Sequence, residues 1–94
     1  MSNHHRIKGH PAAALIGRVP DGVVAAIVGC SPEGVGYHRR RLASPVVGPE
    51  WVDDWTLCQD VLAVASAEAA AEPERAEQIL ADLGRYMPIE PRDG

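Results

Sequence analysis

Apolar positions along this chain recur at helical spacing, and nothing reads as a run of alternating strand positions. Val24, Ile27 and Val28 stand at i, i+3 and i+4, which makes one apolar helix face. That helix starts at Pro20 or Asp21, where an acid suits a cap or a first turn. Gly29 follows its last apolar residue and marks a left-handed C-terminal stop. Ser31, Pro32 and Glu33 then combine a cap, a first-position proline and a first-turn acid, so a new helix runs to Leu42 or Ala43. Upstream, Pro11 to Ile16 reads as a short helix closed by Gly17.

The segment LASPVVGPE is broken by Pro45, Gly48 and Pro49 and reads as a linker. Beyond it, Trp51, Trp55, Cys58, Leu62 and Ala65 form a stripe, widened by Leu57, Val61 and Val64. The spacing predicts one long helix from Trp51 or Val52 to Ala70. Pro73 opens a further helix to Leu83, with Ile79, Leu80 and Leu83 apolar and Gly84 at its end. So short a connection predicts an antiparallel hairpin. The expected fold is all-α. A flexible arm (1–10) precedes three short helices (11–44), a linker (45–50), an acidic two-helix hairpin (51–86) and an extended tail (87–94).

Residues 24–42 carry the functional expectation. Ala25 is small where a second helix crosses the first, Gly29 accepts positive φ in the turn, and Val35 is an aliphatic to bury between the helices. Leu42, two turns beyond Val35, is expected to anchor the far end. These are the requirements of a helix-turn-helix unit. At about 100° per residue, Glu33, Tyr37 and Arg40 face outward, Arg41 flanks them, and Arg39 leans toward the body. Arginine pairs with guanine and glutamate accepts from cytosine, so Glu33, Tyr37 and Arg40 are the expected base readers. Ser31, Arg39 and Arg41 are placed for phosphates. Gly34 and Gly36 weaken this helix by roughly 0.5–1 kcal/mol each relative to alanine, and Gly36 leaves an expected DNA-facing site without a side chain.

With Asp21, Ala25, Gly29, Cys30, Ser31, Val35, Arg39 to Arg41 and Leu42 in this order, the segment resembles the helix-turn-helix domains of small bacterial and phage DNA-binding proteins. The flanks LIGRVPD and LASP belong to the same resemblance, which covers residues 14–45. It implies a double-stranded DNA partner and a regulatory role.

Charge sharpens this picture. The chain has a net charge of −4, which by itself opposes nucleic-acid binding. Residues 1–47, however, hold six bases and two acids, whereas residues 48–94 hold three bases and eleven acids. A basic half suits a polyanion; the acidic half either solvates helix surfaces or meets a partner. Trp51, Trp55 and Leu62 either cover the core or form a homodimer or partner interface. A protein-interaction adaptor, such as a phage or plasmid packaging factor that keeps the fold, is the alternative to a transcriptional regulator.

Other chemistry is sparse. His4, His5 and His10 lack paired cysteines at zinc spacing and read as part of a basic arm, so no metal is expected. Asp53, Asp54 and Asp60 are explained by a helix start better than by catalysis. GCSPEGVG lacks the Lys-Ser/Thr ending of a phosphate loop. No nucleophile–base set is present, so neither an enzyme nor a cofactor is expected. The 46% hydrophobic content is globular, and no apolar run reaches the roughly 18 residues of a membrane span. With no signal peptide, and with Cys30 and Cys58 inside apolar patterns, a reducing cytoplasm is the expected location.

Overall fold

A computed structural model describes residues 7–87. The fold is all-α, with no strand among the described residues. A 3-10 turn (Pro11–Leu15) leads to α1 (Asp21–Val28) and α2 (Pro32–Arg41). A second 3-10 turn (Pro49–Asp53) precedes α3 (Trp55–Ala71), and a third (Pro73–Arg75) precedes α4 (Ala76–Leu83).

The centre of the fold is α1. All six residues from Val23 to Val28 are buried. The single apolar face expected from Val24, Ile27 and Val28 therefore widens to every residue of α1 after Gly22. Its neighbours are α2, α3, α4 and the first 3-10 turn. Four of those six residues are β-branched and individually weak helix formers, so packing rather than propensity holds α1 helical. A helix that is apolar all round belongs inside.

Both ends of α1 are fixed by identifiable groups. Gly29 adopts φ 87° and ψ 38°, the left-handed stop read from the sequence. The N–H groups of Gly29 and Cys30 both donate to the Ala25 carbonyl, at 2.8 and 3.2 Å. Arg75 reaches across from the third 3-10 turn and donates from Nη2 to the Ile27 carbonyl at 2.9 Å. A cation at a helix C-terminus also meets the negative end of the dipole.

The long C-terminal helix begins later than its pattern suggests. Asp54 is its cap, accepting the Leu57 N–H through Oδ1 at 3.0 Å. The chain before it forms the separate Pro49–Asp53 turn, so Trp51 and Trp55 do not share a helix. Trp51 is buried in the core, and Trp55 stands 74% exposed. The buried stripe of α3 is Leu57, Cys58, Val61 and Ala65, with Leu62 half-buried beside it.

One hydrophobic cluster runs through the described residues and joins Ile7, α1, Val35, Trp51, α3, Ile79, Leu83 and Met87. Residues 51–86 are thus not a separate acidic unit; α4 packs on α1 as well as on α3. The boundaries of arm and tail shift accordingly. Ile7 is buried rather than solvated, and Met87 is buried where a tail was expected to begin. Gly84 is right-handed, and Met87 N–H still bonds the Leu83 carbonyl at 3.1 Å. His4, His5 and Arg6, with residues 88–94, lie outside the described residues.

The amino-terminal segment is held by His10. Its Nδ1 accepts the Ala12 N–H at 2.9 Å, so Nε2 carries the proton that faces Glu68 Oε1, also at 2.9 Å. Glu68 and Glu72 each accept from Arg75 Nη1 at 3.0 Å. His10, Glu68, Arg75 and the end of α1 form one chain of contacts from the amino-terminal segment to the central helix.

Candidate nucleic-acid interface

The turn between α1 and α2 is three residues long: Gly29, Cys30 and Ser31. Ser31 is the cap, in extended backbone, and its Oγ accepts the Gly34 N–H at 3.3 Å. Pro32 sits where a helix needs no N–H, and Glu33 lies in the first turn. Within the fold α2 packs against α1. One side is buried through Gly34, Val35, Gly36 and Arg39. Ser31, Glu33, Tyr37, Arg40 and Arg41 are exposed.

Arg39 is not on the open face. Its Nε donates to both carboxylate oxygens of Asp21, at 2.9 and 3.1 Å, and its Nη1 donates to the Ser44 carbonyl at 3.0 Å. Only 9% of the side chain is exposed, which removes it from the phosphate-binding role expected above. Asp21 is the first-turn acid of α1 rather than its cap, since it makes no side-chain cap bond, and it also ties the start of α1 to the end of α2.

Gly36 lies beside the Asp21–Arg39 pair. A Cβ there would stand 3.2 Å from Asp21 Oδ2 and 3.2 Å from Arg40 Nη1. The glycines of α2 lie on its buried side, so Gly36 is not a missing side chain on the outer face. A Cβ there would require the Asp21 carboxylate or the Arg40 guanidinium to shift by a few tenths of an ångström.

Leu42 also departs from expectation, at 62% exposure. The chain turns immediately after Arg41. Ala43 takes φ 57°, and Ser44 N–H returns to the Arg39 carbonyl at 3.1 Å. Leu42 N–H still bonds the His38 carbonyl at 3.2 Å, so Leu42 caps the helix end and does not bury beside Val35.

On the exposed side, Arg41 Nη1 donates to Tyr37 Oη at 3.1 Å. Its guanidinium carbon stands 5.6 Å from the Tyr37 ring centroid, within cation–π reach. The Tyr37 and His38 rings meet edge to face with centroids 5.6 Å apart. Acids of α3 pair elsewhere: Asp60 with Arg18 at 3.8 Å, and Glu68 with His10 and Arg75.

No protein-family model, curated protein or solved structure matches the chain.

Other candidate sites have structural explanations. A cleft of about 250 Å³ opens between α1 and α4, but its lining includes none of Glu33, Tyr37, Arg40 or Arg41. The Arg75 guanidinium at its edge is already bound by two carboxylates and the Ile27 carbonyl. Neither cysteine forms a disulfide. Cys58 donates to the Val52 carbonyl at 3.4 Å, and burial, with Asp54 and Asp53 nearby, raises its pKa above the usual thiol value. Among the described residues no group of three or more side chains is arranged to hold a metal ion, and no helix is long and apolar enough to cross a membrane.

Sequence reasoning missed the Arg75 network entirely. Glu68, Glu72 and Arg75 have helical spacing that hints at mutual pairing. No local pattern indicates that Arg75 also docks on α1.

Proposed function

We propose that this chain is a sequence-specific DNA-binding protein, a small transcriptional regulator of bacterial or phage type, with α2 as its recognition helix. Glu33 and Arg40 read base edges in the major groove, and Arg41 holds a phosphate. The observation that carries this reading is the seating of α2. It is fastened to α1 by Val35, Gly36 and the Asp21–Arg39 pair, which leaves Glu33, Tyr37, Arg40 and Arg41 open to solvent.

The 74% exposure of Trp55 favours a protein contact as well. An indole this accessible suits the centre of a homodimer interface. Used alone, the same surface would serve the adaptor reading, in which the fold is kept for protein contacts. A mobility-shift assay at low salt with pooled genomic fragments separates the two: a salt-sensitive shift supports DNA binding, and no shift at all overturns it.

A further inference from the structure

We infer that Tyr37 and Arg41 act as one preassembled phosphate contact, with Tyr37 the positioning residue and Arg41 the charge. The inference rests on DNA binding by α2 and changes the role of Tyr37 from reading a base to orienting a cation. Residues 37 and 41 are one turn apart on the same exposed side of the helix. The phenol oxygen accepts from Arg41 Nη1 at 3.1 Å, and the guanidinium lies 5.6 Å from the ring centroid.

Two contacts to one partner restrict the long arginine side chain before any ligand arrives. Free arginine on a helix surface loses rotamer freedom on binding, and a guanidinium already held loses less. Arg41 has five N–H donors, so one bond to Tyr37 leaves donors for the oxygens of a phosphate. Arg41 is also the last residue of α2 and flanks the Glu33–Arg40 face rather than lying on it. Position, geometry and donor count agree on a backbone contact.

The test is equilibrium binding of the full chain, over a range of salt, to two duplexes of equal length. One is selected from a random pool and the other is unrelated. Arg41→Ala is expected to weaken both by the same several-fold factor and to lower the salt slope by about one. Tyr37→Ala is expected to weaken both in the same sense but less. With Arg41 already replaced, the tyrosine change should add nothing, since the two act as a unit. Both side chains are exposed, and an unchanged urea midpoint verifies that the variants fold. If Tyr37→Ala weakens the selected duplex alone, or if the two changes add independently, the paired contact is overturned while DNA binding stands. If the unmodified chain binds neither duplex, the DNA reading itself falls.

Discussion

The Arg39 guanidinium lies along the Asp21 carboxylate, with Nε 2.9 Å from Oδ1 and 3.1 Å from Oδ2. The two residues stand eighteen apart in sequence and join α1 to α2, and the pair is largely shielded from water. Removing one partner leaves the other charged and poorly solvated. Arg39→Ala is expected to cost about 3 kcal/mol of stability. Arg40→Ala, one residue away but exposed, should stay within about 0.5 kcal/mol. Urea unfolding of the two variants checks this; equal midpoints would show that Arg39 does not hold α2 on α1.

Arg75 fastens the carboxyl-terminal half to the central helix through the Ile27 carbonyl, Glu68 and Glu72. Its loss should destabilise the fold by about 2 kcal/mol, since two carboxylates and a helix end lose a shared donor. Arg75→Lys should recover little, because an ammonium lacks the fork that reaches carboxylates and a carbonyl together. Hydrogen exchange at the end of α1 should accelerate in both variants. Protection equal to the unmodified chain would contradict the docking role.

Cys58 supplies a pH dependence. Its thiol resists ionisation in the folded state, chiefly through burial and further through Asp54 and Asp53. In the unfolded chain the thiol ionises near the usual 9.0. Unfolding therefore releases a proton once the pH passes that value, and stability declines as pH rises from there toward the folded-state pKa. Below it both states hold the proton and the contribution is flat. The difference in urea midpoint between the unmodified chain and Cys58→Ala should be constant at neutral pH and change above about 9. A difference that stays constant into alkaline pH would refute the assignment.

The proposed homodimer predicts different behaviour for the two tryptophans. Trp55→Ala should leave monomer stability nearly unchanged and abolish self-association, because the indole is mostly in solvent in one chain. Trp51→Ala should cost about 3–5 kcal/mol through loss of core packing. Sedimentation equilibrium separates the cases. A chain that is monomeric at all concentrations, with or without Trp55, would rule out the dimer.

The stop of α1 and the start of α2 were legible because they are local. Ser31 with Pro32 and Glu33 announces α2, and Gly29 adopts the left-handed conformation that its position after Val28 implies. The burial of Val35 followed from its spacing. What could not be read depended on tertiary partners. Asp21 was legible as a cap or first-turn acid and is the latter, but its pairing with Arg39 was not, because that partner lies on another helix. Periodicity continued through Asp54, where the side chain capped a new helix and separated Trp51 from Trp55. Gly36 looked like a gap on the outer face until the Asp21 carboxylate appeared beside it. Within the candidate interface, Glu33, Tyr37, Arg40 and Arg41 lie on the side expected of them. Arg39 was lost to the core, because the carboxylate of Asp21 waits on the buried side.

The most direct test of the central claim is the affinity of the unmodified chain and of Arg40→Ala for a duplex selected from a random pool, set against an unrelated duplex. Arg40 is exposed on α2, outside the Asp21–Arg39 pair. The expected result is salt-dependent binding with preference for the selected duplex, and a loss of about 1–3 kcal/mol of that preference in Arg40→Ala. No binding at low salt, or binding in which Arg40→Ala retains the full preference, would contradict the assignment of α2 as a DNA-reading helix.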